Sequence, residues 1–268
     1  MRLKLGQPEV TNETNILEIE VPPELRIKIP SGIAAVDYML SKSGVTPSTS
    51  AFVTGTPGSG KTTFMLQMAN AITSSGNIAF YDMAEESLYQ IRQTVERLGL
   101  VHGFISGYDT SLPDIIKKAN EIRLANSDKK VFLFIDSLQC IDVPREPGIR
   151  GRGLGKTDKQ VKIIETLTEW AKETYNMVFT IGHSTKKGDY AGSSSIKHII
   201  DLHMHLGPDT DRKSETYGEL TVKILKNRFG NLGNYPYTID EKGVSFAQIK
   251  EAEAESLAAV IVERVHMI

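Results

Sequence analysis

Gly55-Thr56-Pro57-Gly58-Ser59-Gly60-Lys61-Thr62 decides how this chain folds. The apolar run Ala51-Phe52-Val53 precedes it, and the helix-compatible stretch Thr63-Phe64-Met65-Leu66-Gln67-Met68 follows. A strand, a glycine-rich turn and a helix form the context in which a phosphate-binding loop works. Glycines let successive backbone N–H groups turn inward around a phosphate, and the helix N-terminus adds its partial positive charge. In that arrangement Lys61 reaches the β- and γ-phosphates, and the Thr62 hydroxyl is offered to Mg²⁺. A glycine-rich turn without a ligand is the plain alternative; it leaves the filling of every fixed position unexplained. The stretch predicts nucleoside triphosphate binding.

The whole chain sets bounds on everything else. Its 268 residues suit one large domain, or a core with small appendages. A hydrophobic fraction of 40% with 24% charged residues is enough to bury a real core. The formal net charge of -2 gives no global reason for nucleic-acid affinity, so any basic footprint must be local. Cys140 stands alone, which rules out an intramolecular disulfide and a cysteine-based zinc module. No apolar run is long enough to cross a bilayer, and Met1-Arg2-Leu3-Lys4 does not open a signal peptide. A cytoplasmic protein with no membrane partner is the expectation.

Outward from the loop, the chain alternates strand and helix patterns. Ser31 to Leu40 reads as a capped helix, and the helix after the loop should run to about Ser75, with Gly76 as its stop. Asn77 to Asp82 is the next strand, ending near the paired carboxylates Glu85 and Glu86, where α/β folds place chemistry. A short strand within Val101 to Ser106 and an amphipathic helix from Pro113 to Asn126 follow. Val131-Phe132-Leu133-Phe134-Ile135-Asp136 is a buried parallel strand that delivers a carboxylate to the sheet edge. Paired with the phosphate loop, Asp136 is the expected holder of Mg²⁺, either directly or through a bound water. Thr157-Asp158-Lys159-Gln160 fits a capping box, and Met177 to Ile181 is another buried strand, followed by His183.

Further strands are expected at about 202–206, 220–225, 235–239 and 244–246, then a helix. The fold class is α/β: a mostly parallel sheet with helices on both faces and an antiparallel C-terminal extension. Residues 1–25 are read as an arm or edge strand, because Ile16 to Val21 partly alternates; 26–246 form the core and 247–268 a C-terminal helix. His198, His203 and His205 carry no carboxylate or cysteine spacing that completes a metal site, and strand packing is their default. Arg92, one helical stretch after Glu85, is a candidate for stacking on adenine.

Several of these stretches together resemble the ATPase core of the RecA superfamily, and within it the bacterial RadA family. They include Ser31 to Leu40, Gly55 to Thr63, Glu85-Glu86-Ser87-Leu88 and Arg97-Leu98-Gly99-Leu100. Ile135 to Gln139, Gly182-His183-Ser184-Thr185-Lys186 and Lys226-Asn227-Arg228-Phe229-Gly230 complete the set, in the family's order. The last is the most specific. RadA proteins flank such a core with a zinc module and a protease-like domain; a minimal core without them is the expectation here.

The resemblance implies a RecA-like fold and an ATPase that uses Mg²⁺. It implies Glu85 as the catalytic glutamate, with Glu86 as second choice and helix capping as the plain alternative, and His183 as a γ-phosphate sensor. It also implies that Lys226 and Arg228, which alternate at a strand end and so point the same way, reach a neighbouring subunit's ATP. The partners would then be single-stranded DNA and further copies of the chain, in a ring of about six subunits or a filament. Two glycine-containing segments match the superfamily's DNA-binding loops. Both are expected to be flexible: the first, Arg145 to Lys156, carries Arg145, Arg150, Arg152 and Lys156 against Glu146; the second, Ser184 to Ser195, carries Lys186 and Lys187 against Asp189. Recombination or branch migration is the first functional expectation. A DnaB-like helicase motor and a KaiC-like signalling ATPase without DNA binding are the alternatives.

Overall fold

The computed structural model describes residues 15–144, 155–183 and 193–246. Among them a nine-stranded sheet runs in the order β3-β2-β4-β5-β1-β6-β7-β8-β9. The parallel part comprises β1 (Ser50–Gly55), β2 (Ile78–Met83), β3 (Ile105–Gly107), β4 (Val131–Asp136), β5 (Met177–Ile181) and β6 (Leu202–Pro208). β7 (Leu220–Asn227), β8 (Gly233–Asp240) and β9 (Gly243–Phe246) extend it antiparallel. The helices are α1 (Ala34–Ser41), α2 (Lys61–Ser74), α3 (Leu88–Arg97), α4 (Leu112–Ala125), α5 (Lys156–Thr174) and α6 (Ser193–Ile199). The α/β expectation, antiparallel extension included, is met.

Strand alternation explains why both faces are covered. Phe132 and Phe134 of β4 join the core with Phe64, Leu66 and Ile72 of α2 and with Ile91 and Val95 of α3. Val131, Leu133 and Ile135 join the opposite core, with Ile115 of α4 and Ile163, Leu167 and Trp170 of α5. Successive side chains on a strand point to opposite faces, so a continuous apolar run is what a doubly covered parallel strand requires.

Three local expectations are corrected. Ile16–Glu18 form a single 3₁₀ turn rather than part of a strand: the Asn15 side chain accepts a hydrogen bond from Leu17 N, and no strand among the described residues pairs with it. The capping box at Thr157 does not form, because α5 begins at Lys156 with Gly155 as its N-cap. Ser87 with Gln90 makes a capping box instead, at the start of α3. Ser193 to Ser195, expected in a flexible segment, begin α6. The C-terminal helix expected over 247–268, most of the arm 1–25, and five of the proposed DNA contacts (Arg145, Arg150, Arg152, Lys186 and Lys187) lie outside the described residues.

Candidate active site

The loop between β1 and α2 is shaped by two glycines in the left-handed region, Gly58 at φ 76° and Gly60 at φ 82°. A side chain at Gly60 would be strained by that φ and would also meet Ile239 Cδ1 at 2.6 Å. Lys61 opens α2, and its ammonium donates to Gly55 O at 3.2 Å and Thr56 O at 3.1 Å. Ser59 Oγ is buried with no hydrogen-bond partner among the described residues. An orphaned, buried hydroxyl in a loop at a helix N-terminus fits a phosphate oxygen as its missing partner.

Gly55, Pro57, Gly58, Gly60, Lys61, Thr62 and Thr63 line one side of a cleft of about 410 Å³; Glu85, Glu86, Asp136 and His183 stand across it. Thr56 and Ser59 belong to the same loop, and Thr56 O is held by Lys61. Four separate strands thus deliver their C-terminal ends to one crevice, as open α/β sheets do with ligand sites. Burial lowers the Lys61 pKa, and the Asp136 and Glu85 carboxylates partly offset that.

Asp136 ends β4 and accepts from Thr62 Oγ1 at 2.8 Å and from Tyr81 Oη at 2.9 Å, both on Oδ2. Burial raises its pKa, and those two donors pull it back. A hydroxyl beside a carboxylate, at the mouth of a phosphate loop, is the oxygen-rich donor set that suits Mg²⁺. The residues present therefore fit both a triphosphate and its metal.

Glu85 Oε2 lies 3.0 Å from His183 Nε2, and the Ser137 hydroxyl bonds both side chains, at 3.3 Å from that same nitrogen. Partial burial pushes Glu85 up, but the hydrogen bonds from Ser137 and His183 and the nearby Lys61 charge outweigh it and hold the carboxyl low. Glu86 moves the other way: burial first, then the Asp136 and Glu85 charges, raise its pKa. Neighbouring carboxylates pushed apart in this manner are suited to different tasks. Neither glutamate caps α3, since Ser87 does.

Arg92 is not brought to the cleft. Ile91 and Val95 turn the apolar side of α3 to the core, which leaves Arg92 in solvent, paired to Glu96 at 2.8 Å. Lys156 is exposed at the first turn of α5. Lys226 donates to Lys197 O at 2.5 Å and Ile200 O at 2.6 Å, and Arg228 donates to His198 O at 3.1 Å and to Asp201 at 2.8 Å. Both cations thus point the same way, onto the C-terminal end of α6, where helix carbonyls lack partners. His203 and His205 share the Thr54 hydroxyl at 2.9 and 3.0 Å. The sequence did not point to Ser137, Tyr81 and Tyr237 as supports for the site, nor to Ile239 as a wall of the cleft. Tyr237 Oη donates to Ser59 O at 2.6 Å from a strand 178 residues away, a pairing no local pattern encodes.

No protein-family model matches the chain. It is 32% identical over 217 residues to the DNA repair protein RadA of Mycolicibacterium smegmatis, covering 78% of this chain and 43% of that protein. With the DNA repair protein RadA of Streptococcus pneumoniae the identity is 29% over 189 residues, covering 70% of this chain and 41% of that protein. The core is RecA-like, and its sequence is RadA-like. The chain spans less than half the length of these curated relatives. Among solved structures, a DnaB-like replicative helicase superposes with a TM-score of 0.69 at 17% identity, over 83% of this chain and 62% of that one. A KaiC-like protein from Pyrococcus horikoshii gives 0.61 at 18%, over 83% of this chain and 99% of that one. These two likenesses concern the fold alone. The RadA resemblance drawn from the motifs therefore holds.

Proposed function

We propose that the chain is a DNA-stimulated, Mg²⁺-dependent ATPase that works in an oligomer on single-stranded DNA, in recombination or branch migration. The observation that carries the reading is the convergence of Lys61, Thr62, Asp136, Glu85 and His183 on one cleft. In this reading the loop amides and Lys61 hold the β- and γ-phosphates, while Thr62 and Asp136 hold the metal. The metal, when bound, neutralises charge on the phosphate oxygens. Glu85, kept ionised, positions and polarises the attacking water, and accepts its proton as the water oxygen bonds to the γ-phosphorus and the bond from that phosphorus to the β,γ-bridging oxygen breaks, releasing ADP. His183 and Ser137 fix the Glu85 carboxylate, and they lie where a lost γ-phosphate would be felt.

Lys226 and Arg228 serve another subunit's site in this proposal. Lys226 pairs across the sheet with His203, and His203 with Phe52, so it sits three strand residues before Gly55. At about 3.3 Å per residue that is roughly 10 Å back along the strands, and β7 lies two strand spacings of about 4.8 Å to the side of β1. A cation placed there reaches a triphosphate only if another copy presents one. Arg145, Arg150, Arg152, Lys156, Lys186 and Lys187 are the proposed phosphate contacts to DNA. Repeated around an assembly, their modest local charge becomes a basic track.

The test is ATP turnover with and without single-stranded DNA over a salt series. Stimulation that fades as salt rises supports the proposal; indifference to DNA would favour a signalling ATPase. Comparing forked with three-stranded substrates then separates a replicative helicase from a branch-migration motor.

A further inference from the structure

We propose that Tyr81 is a positioning residue for the Asp136 carboxylate, holding it in the one orientation that serves the metal. The inference rests on the reading of Asp136 as metal holder given above.

Tyr81 lies inside β2 and is fully buried. A buried tyrosine hydroxyl needs a partner, and this one donates to Asp136 Oδ2 at 2.9 Å. In the register of the two strands Tyr81 stands opposite Phe134, so its hydroxyl reaches forward along the sheet to the strand end. The ring that carries it is clamped. It stacks on Phe134 with centroids 5.5 Å apart and planes 11° apart, and Phe134 in turn stacks on Phe179 at 5.4 Å. Phe104 closes the other side at 5.4 Å. A row of aromatic rings from Phe104 through β2 and β4 to β5 therefore fixes the direction of a single O–H.

Two donors converge on Oδ2, and they are not equivalent. The Thr62 hydroxyl sits at the start of α2, where it must also present an oxygen lone pair to the metal, so its geometry changes with the ligand. Tyr81 touches no ligand, and its donor stays fixed. With Oδ2 tethered from beneath, the carboxylate cannot rotate without breaking a buried hydrogen bond, and Oδ1 is left for a metal-bound water. Outer-shell donors of this kind typically change metal affinity about 10- to 100-fold when removed.

Tyr81→Phe keeps the ring and its stack and deletes only the O–H. Mg²⁺ is titrated against the chain with a fluorescent N-methylanthraniloyl-ATP, reading metal-dependent nucleotide binding without turnover. The midpoint for Mg²⁺ should rise about tenfold in Tyr81→Phe, with metal-free nucleotide affinity unchanged. Phe179→Leu, which loosens the stack but keeps the hydroxyl, should lower thermal stability and move the midpoint less than about twofold. Asp136→Asn is the reference. A shifted Asp136→Asn beside an unshifted Tyr81→Phe overturns the role of Tyr81 and leaves the metal reading standing. Equal shifts in Tyr81→Phe and Phe179→Leu overturn it too, because packing rather than the hydroxyl would then be responsible. If Asp136→Asn does not shift, the metal reading itself falls and takes the proposal with it.

Discussion

Arg228 forms an ion pair with Asp201 at 2.8 Å inside its own chain, and Asp201 is almost wholly buried. Asp201 also accepts from Ser50 N, so the pair ties the end of β7 to the start of β1. In the isolated chain the cations proposed to act on a neighbour are thus occupied at the end of α6. Engagement in trans requires them to leave that place, and two kinds of measurement follow. Arg228→Ala in the isolated chain should cost about 1.5–3 kcal/mol, the range for a hydrogen bond to a charged group. Mixing a Lys61→Ala variant with Arg228→Ala should restore part of the ATPase activity that each lacks alone. Absence of recovery at every mixing ratio would exclude a trans role.

Glu85 and His183 make a second testable pair. Glu85→Gln keeps the shape but cannot take a proton, so single-turnover hydrolysis should slow by about 10²- to 10⁴-fold. Nucleotide binding should be little altered. His183→Phe removes the donor that holds Glu85, and its loss in rate should be smaller. A Glu85→Gln rate within a few-fold of the unaltered chain would move the role to Glu86.

The phosphate loop offers a comparison of two glycines. Gly58→Ala places a methyl in open space and meets only the left-handed backbone penalty. Gly60→Ala carries the same penalty and also drives into Ile239 Cδ1 at 2.6 Å. Strain at such positions is about 1–3 kcal/mol. The backbone strain is common to both, so the Ile239 contact alone should make Gly60→Ala weaken ATP binding more than Gly58→Ala does, by equilibrium titration. Ile239→Ala should recover part of the difference.

His203 predicts a pH dependence. Burial, and then the positive charges of His205, Lys197 and Lys226, push its pKa down to about 4. The Phe52 ring and the Thr54 hydroxyl complete its surroundings. An exposed histidine in the unfolded chain titrates near 6.5. Between those values the unfolded state binds more protons, so stability falls as pH drops from about 6.5 to about 4. Asp82 acts in the opposite sense: burial raises it to about 6, so below that pH the folded state gains protons and the effect opposes that of His203. Comparing His203→Gln with the unaltered chain cancels the Asp82 contribution. The variant should lose less stability over that range, by an amount on the order of 3 kcal/mol, in urea unfolding at stepped pH. Parallel curves would show that His203 is not the group responsible.

The sheet was legible in the sequence wherever the pattern was local. The run Val131 to Asp136 announced a strand buried on both faces, and the glycine loop announced the turn between β1 and α2. The loop residues, Asp136 and the two glutamates were readable for the same reason: each lies at or just beyond the end of an apolar run, and that is where strands deliver side chains. Ile16 to Val21 misled because alternation over six residues, without a partner strand beside it, is weaker than a side-chain cap. Arg92 misled because helical phase, rather than distance along the chain, decides which way a side chain turns.

What the sequence by itself determined is the succession of strands and helices and the phosphate loop, since these depend on periods of a few residues and on glycine's freedom at positive φ. Only the tertiary structure decided that Tyr81 meets Asp136, that Tyr237 closes on Ser59, and that Lys226 and Arg228 rest on α6. Those contacts join residues separated by 26 to 178 positions, and their partners are chosen by strand order and register. Strand order is a property of how the sheet assembles, and no single stretch of chain carries it.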